Sequence, residues 1–338
     1  MSMNERYSRQ MLFPQVGAAG QEKLQASRVL IVGMGALGTV LANHMVRSGV
    51  GHVRMVDRDY VEPSNLQRQM LFDEEDAAQA LPKVIAARNK LARINSEIQI
   101  EAVFTDVTPD NVEGLLEGME LVLDGTDNFQ TRFLLNDACF KQGVPFVYGG
   151  AVSSRGMSAI LVPGVTPCLR CFIQSADSGG QTCDTIGVIS PIVDIVASYQ
   201  AVEALKYLVG DTGARRESLI TMDVWHNQYH AMKLGKAREQ CPCCGLHEYP
   251  ALTQEANTEL SLCGRESVQI SGHEPFSLSV WEERLRPAVR ELKVNEYLLR
   301  ASLADGERLV LFADGRVLIQ GTDDLVRAKS LYARYVGH

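Results

Sequence analysis

Gly33, Gly35 and Gly38 follow directly on the apolar run of residues 28–32, in Gly33-Met34-Gly35-Ala36-Leu37-Gly38. This spacing turns a strand sharply into a helix and aims backbone N–H groups, with the positive end of the helix, at a phosphate. Asp57 stands about 20 residues further on, where a carboxylate can hydrogen-bond a ribose. The glycines alone do not separate a dinucleotide from a nucleoside triphosphate. The next loop does, because it brings Asp59, Asn65, Arg68 and Gln69, with Lys83 soon after. A triphosphate concentrates more charge than a diphosphate and needs cations such as Arg68 and Lys83, while Asn65 and Gln69 add neutral hydrogen-bonding capacity. Asp127, in Asp124-Gly125-Thr126-Asp127-Asn128, suits Mg²⁺ held against phosphate oxygens, and Asp124 can share that role. Either aspartate can equally serve as a helix N-cap.

The eight cysteines include two CxxC pairs, Cys168-Leu169-Arg170-Cys171 and Cys241-Pro242-Cys243-Cys244. Two thiolate pairs make a closed tetrahedral Zn²⁺ site, which is structural because no position is left for water. The surplus Cys243 can stand in for Cys244 as a ligand. A redox role is disfavoured, since there are two such pairs and neither follows a thioredoxin-like strand and helix. Cys183 lies in a glycine-containing loop, but a nucleophilic thiolate needs a lowered pKa that nothing in the sequence supplies. From the residues alone it reads as a plain loop cysteine.

The elements that must position these groups alternate. Strands are expected at 28–32, 52–56, 98–104 and 121–123, with helices from Leu37 to Ser48, after Pro82, at 112–116 and at 129–141. Alternating strands and helices imply a Rossmann-like, mostly parallel sheet whose ligands bind at the strands' carboxyl ends. The glycine turn, Asp57 and the loop from Asp124 all fall at such ends, so three distant loops can converge on one crevice. Residues 148–162 and a hairpin at 219–224 and 229–234 extend the sheet with antiparallel strands, and Ser190-Pro191 opens a long helix. The division expected is an ATP-binding domain at 1–245 and a small α+β unit at 246–338.

Composition narrows the class. A chain of 338 residues with 46% hydrophobic and 22% charged residues can bury a full core. No apolar stretch has membrane-spanning length, and no apolar segment follows a basic start, so a cytoplasmic protein is expected. The net charge of −8 argues against nucleic acid or a membrane surface as partner.

Together with Arg6-Tyr7-Ser8-Arg9-Gln10, Asp57-Arg58-Asp59, Ser64 to Gln69, Pro82-Lys83 and Thr182-Cys183, these motifs resemble the ThiF/MoeB family of adenylyltransferases over residues 5–245. The resemblance implies that ATP adenylates the C-terminal glycine carboxylate of a ubiquitin-like sulfur-carrier protein, with Asp57 on the ribose, Asn65, Arg68 and Lys83 on phosphates, and Asp127 on Mg²⁺. It also implies a homodimer in which Arg9 reaches the ATP of the partner subunit, a separate sulfur donor protein, and a covalent role for Cys183 as found in some relatives. The tail lacks the cysteine loop of a rhodanese and resembles extensions of ThiF-type proteins, which favours a carrier for thiamine thiazole synthesis over the molybdopterin synthase small subunit. An NAD-dependent oxidoreductase could use the same glycine turn, but the loop from Asn65 to Gln69 and the paired CxxC motifs speak against it. A non-catalytic adaptor would have no need of Arg9, Arg68, Lys83 and Asp127.

Overall fold

A computed structural model of the chain describes residues 3–173, 186–254, 259–262, 266–271 and 274–337. The described residues fall into two compact units, with the main division between Gln254 and Glu255. No helix among them is long and apolar enough to cross a membrane.

The first unit is built on an eight-stranded sheet of β1 (Arg28–Val32), β2 (His52–Asp57), β3 (Gln99–Phe104), β4 (Leu121–Asp124), β5 (Phe146–Val152), β6 (Arg155–Leu161), β7 (Ser218–Asp223) and β8 (Gln228–Lys233), in the spatial order β3-β2-β1-β4-β5-β6-β7-β8. The first five strands run parallel and the last three are antiparallel additions, as the sequence pattern predicts. β5 belongs to both halves, because it is parallel to β4 and antiparallel to β6. The antiparallel extension therefore starts at β6 and not at residue 148. Val29, Leu30, Ile31 and Val32 are all buried, which explains why β1 reads as an unbroken apolar run: a parallel strand covered on both faces has no solvent side.

The order reverses between β1 and β4, which follow each other in space but not in sequence. A crevice opens there at the carboxyl ends, since the connections leaving β1 and β4 depart to opposite sides. The helix Ala36–Ser48 leaves β1 and the helix Phe129–Gln142 follows β4. The expected domain end at 245 falls short of the compact unit. Tyr249, Ala251 and Leu252 pack onto the core of the first unit, and the Ala251 amide donates to the fully buried Asp137.

The second unit holds a six-stranded antiparallel sheet of β9 (Glu259–Leu262), β10 (Ser267–Ser271), β11 (Glu291–Val294), β12 (Leu298–Ser302), β13 (Arg308–Phe312) and β14 (Arg316–Gln320), ordered β11-β12-β13-β14-β10-β9. Its core joins Val268, Leu299, Leu309, Leu311, Val317 and Ile319 to Leu285, Ala328 and Leu331 from the helices Leu278–Leu285 and Leu325–Tyr335. β11 is a largely exposed edge strand with charged residues at Glu291 and Lys293, so it leaves no apolar pattern in the sequence.

Candidate active site

The glycine turn separates into structural and open positions. Gly33 has φ +86, and a Cβ there would meet the Gly125 carbonyl oxygen at 2.7 Å; at Gly38 it would meet the Gly33 oxygen at 1.8 Å, and at Gly125 the same oxygen at 2.3 Å. These three residues are glycine because the ends of β1 and β4 pack backbone on backbone. Gly35 differs, since the nearest atom to a Cβ there is Gln69 Nε2 at 3.9 Å. It is the position where the start of the helix Ala36–Ser48 is open to a ligand. Gly125 was missed as a partner of the turn, because only the third dimension brings it beside Gly33.

Asp57 ends β2 with both carboxylate oxygens engaged: Oδ2 accepts from the Met34 amide at 2.5 Å and Oδ1 from the Asp59 amide at 2.7 Å. Enclosure pushes its pKa above the ordinary carboxylate value, while the charge of Lys83 pulls the other way. Lys83 opens the helix Lys83–Ile94, buried at 4% exposure, where its amide donates to the Asp59 carbonyl at 2.9 Å and its Nζ reaches Asp59 Oδ2 at 3.2 Å. The cation is thus delivered to the end of β2 by the helix that precedes β3.

In the intervening loop Asn65 is buried, and its Oδ1 accepts from the Glu62 amide at 3.0 Å, which closes a short turn. Arg68 is half-buried and donates to the Ser64 carbonyl at 3.0 Å. Gln69 is buried with an Oε1 that has no hydrogen-bond partner, and its amide stands against Gly35. An orphaned acceptor beside the open glycine fits a ligand donor.

At the end of β4 the two aspartates part company. Asp124 is fully buried: its Oδ1 accepts from the Thr126 amide and hydroxyl at 2.9 and 2.7 Å, and its Oδ2 from Arg132 Nε at 3.1 Å. It therefore has no oxygen exposed to a nucleotide or a metal and acts as a brace for the loop. Asp127 is exposed. The capping reading fails for both, because Asn128 is the N-cap of the helix Phe129–Gln142, its Oδ1 accepting from the Thr131 amide at 2.8 Å. Arg58 pairs with both oxygens of Asp106 at 3.1 and 3.2 Å, and the nearby carboxylates of Asp106, Asp59 and Asp127 hold its pKa up against burial.

Sequence reasoning missed Arg132, a buried arginine whose Nη2 also donates to the carbonyls of Thr126 at 2.6 Å and Gly149 at 3.1 Å. The available signal was an arginine one turn into a helix, beside the apolar Phe133 and Leu134. Arg9 lies on the exposed short helix Ser8–Met11 and makes no ion pair among the described residues. Cys183, Thr182 and Cys263 lie outside the described residues.

The second cluster is of thiols. The sulfurs of Cys168, Cys171, Cys241 and Cys244 all lie within 4.8 Å of one another, with Cys168 to Cys241 at 3.5 Å and Cys171 to Cys244 at 3.4 Å. A tetrahedron with metal–sulfur distances of about 2.3 Å has edges in this range, so the donor set could hold zinc. Cys243 is not one of the four: its sulfur lies beside Cys168 and accepts from Asn136 Nδ2 at 3.3 Å.

Residues 7–243 match the pattern of the ThiF family. The chain belongs to the ThiF family. Among relatives of this ThiF-family chain, the Bacillus subtilis (strain 168) "Sulfur carrier protein ThiS adenylyltransferase" is 43% identical over 99% of this chain and 100% of that protein. The Thermus thermophilus "Sulfur carrier protein adenylyltransferase" is 36% identical over 71% of this chain and 90% of that protein. The Culex quinquefasciatus "Adenylyltransferase and sulfurtransferase MOCS3" is 33% identical over 85% of this chain, which spans 64% of that protein. Of solved structures, E. coli MccB with ATP superposes with a TM-score of 0.63 at 24% identity, over 72% of this chain and 75% of that chain, and shares the fold. The ThiF-family match covers the crevice and three of the four clustered cysteines, ends one residue before Cys244, and leaves the second unit outside it.

Proposed function

We propose that this chain is an ATP-dependent adenylyltransferase that activates the C-terminal glycine carboxylate of a ubiquitin-like sulfur carrier of the ThiS type. The observation that carries this reading is the end-to-end similarity to the B. subtilis protein, which includes the second unit that the family pattern does not cover. The molybdopterin carrier is not favoured, because the MOCS3 relative named for sulfurtransfer extends well beyond this chain.

In this reading the open face of Gly35 and the start of the helix Ala36–Ser48 receive phosphate, Asp57 takes the ribose, and Lys83, Arg68, Asn65 and Gln69 line the triphosphate. Asp59 holds Lys83 in place. The carrier carboxylate attacks the α-phosphorus, an oxygen–phosphorus bond forms, the bond between α-phosphorus and bridging oxygen breaks, and pyrophosphate leaves with that electron pair. No general base is needed, since the nucleophile is already ionised. Catalysis is positioning and charge stabilisation, supplied by Lys83 and Arg68 on the departing phosphates. Mg²⁺ bound at the exposed Asp127 would neutralise phosphate charge. Arg9 is exposed, as a residue that serves the partner subunit of a homodimer must be. A separate donor protein supplies sulfur to the adenylate, Cys183 is a candidate acceptor of the carrier, and the reaction runs in the cytoplasm.

The test is ATP–pyrophosphate exchange with purified carriers. Exchange is expected with a ThiS-type carrier and lost when its terminal glycine is removed. Exchange with the molybdopterin carrier alone would move the assignment to that pathway. No exchange with either carrier, alongside tight NAD binding, would overturn it.

A further inference from the structure

The helix Phe129–Gln142 buries polar groups where a core-facing helix ordinarily buries apolar ones. Arg132, Asn136 and Asp137 are all buried, and each fastens other segments to the helix. Arg132 holds Asp124 and the Thr126 carbonyl at the start of the Asp127 loop. One turn on, about 6 Å along the axis, the polar face meets the cysteine cluster. Asn136 Oδ1 accepts from the Leu169 amide at 2.8 Å, inside the Cys168–Cys171 pair, and its Nδ2 donates to Cys243 at 3.3 Å and to Asp137 Oδ1 at 3.0 Å. Asp137 receives a two-pronged contact from Arg170, Nε to Oδ1 at 2.7 Å and Nη2 to Oδ2 at 2.8 Å, and also accepts from the Ala251 amide at 2.9 Å.

A buried ion pair gives little net stability over apolar packing of the same volume, so stability alone does not explain this arrangement. What it supplies is geometry. A forked arginine on a carboxylate fixes distance and angle together, and partners behind metal ligands orient those ligands. Asn136 touches both cysteine segments, which are far apart in sequence. The helix is a continuous rod of backbone hydrogen bonds, so a displacement at residues 136 and 137 is carried to Arg132 one turn away.

We infer that Asn136 and Asp137 are positioning residues that lock the cysteine cluster to the helix bearing Arg132, so that metal held by the cluster keeps the Asp127 loop in its nucleotide-binding position. The nucleotide half of this inference rests on the reading in Proposed function; the clamp on the cluster does not.

The test uses the full chain, as zinc-loaded and zinc-stripped wild type and as Asp137→Asn. Zinc release to a colorimetric chelator and the Kd for ATP by calorimetry are read separately. Asp137→Asn should release zinc about tenfold faster and bind ATP severalfold more weakly. Stripped wild type should show the same ATP weakening, and added zinc should return stripped wild type to its full ATP affinity but Asp137→Asn only in part, because the link between cluster and helix stays weakened in that variant; full recovery of Asp137→Asn would overturn the role of Asp137 in the link. An ATP Kd unchanged on stripping the wild type, or zinc release from Asp137→Asn at the wild-type rate, would overturn the inference. If Asp137→Asn does not fold, Arg170→Lys, which keeps the charge and loses the fork, is read by the same measurements. If loaded wild type fails to bind ATP, the nucleotide reading falls, and the zinc-release rates still decide the clamp.

Discussion

Arg132 donates from Nε to Asp124 Oδ2 across 3.1 Å with both side chains buried, and the same guanidinium reaches carbonyls on two other segments. Breaking one side of such a pair strands a charge in the core. Arg132→Met is expected to destabilise the protein by about 3–5 kcal/mol, and the double variant with Asp124→Asn should recover part of that loss. Urea unfolding of the two variants checks it; equal stability of the single variant and wild type would contradict the brace.

The glycines should respond differently to alanine. At Gly38 a Cβ would lie 1.8 Å from a backbone oxygen that cannot swing away, so Gly38→Ala should lose the folded first unit. At Gly35 the nearest atom is 3.9 Å away, so Gly35→Ala should keep a near-native Tm and weaken ATP binding by about tenfold, equivalent to about 1.4 kcal/mol. Thermal melts with ATP calorimetry separate the two cases.

Lys83 is buried beside Asp59 and Asp57, and replacing it removes its positive charge from beside those carboxylates. Lys83→Gln should lower the carrier-dependent exchange rate by about 10²–10³-fold, the scale of losing one preorganised charge-stabilising group. Asp127→Asn, at an exposed position, should lower exchange with no fall in Tm. Exchange at the wild-type rate in either variant would remove that residue from the reaction.

The sulfur geometry distinguishes adjacent cysteines. Cys244→Ser should abolish stoichiometric zinc, whereas Cys243→Ser should retain one zinc per chain, because Cys244 and not Cys243 belongs to the four sulfurs that lie within 4.8 Å of one another. Elemental analysis of the two purified variants gives the answer, and the reverse pattern would exchange their roles.

Burial pushes the Tyr148 hydroxyl up to about 12, with Asp124 adding to the shift and Arg132 opposing it. Below pH 10 the phenol is protonated in the folded and unfolded chain alike. Between about 10 and 12 only the unfolded chain ionises, so it binds fewer protons and stability is lost as pH rises, by at most about 1.4 kcal/mol per pH unit. Tm should therefore fall more between pH 9 and pH 11 in wild type than in Tyr148→Phe. A parallel fall in both would show that Tyr148 does not contribute.

Much of the fold was legible because its signals are local. An apolar run before closely spaced glycines, amphipathic repeats such as Val84, Ala87 and Leu91, and the alternation of strand with helix each depend on residues close in sequence. The paired cysteines were legible for the same reason, since ligand spacing within each pair is a local property. The strand β11 was not legible, because an exposed edge strand buries too little to leave an apolar pattern.

The sequence by itself determined the kind of chemistry: which residues could meet a phosphate, a ribose or a metal, and that they lie at loop positions a parallel sheet would gather. Only the tertiary structure decided how those residues divide their work. It turned Asp124 inward onto Arg132 and left Asp127 exposed, joined Gly125 to Gly33 and Gly38, opened Gly35 toward Gln69, and set Cys244 within the four-sulfur cluster with Cys243 outside it. The physical reason is that side-chain roles follow from burial and from partners distant in sequence. Adjacent residues of one type are alike in the chain, and they are told apart by what the fold packs against each.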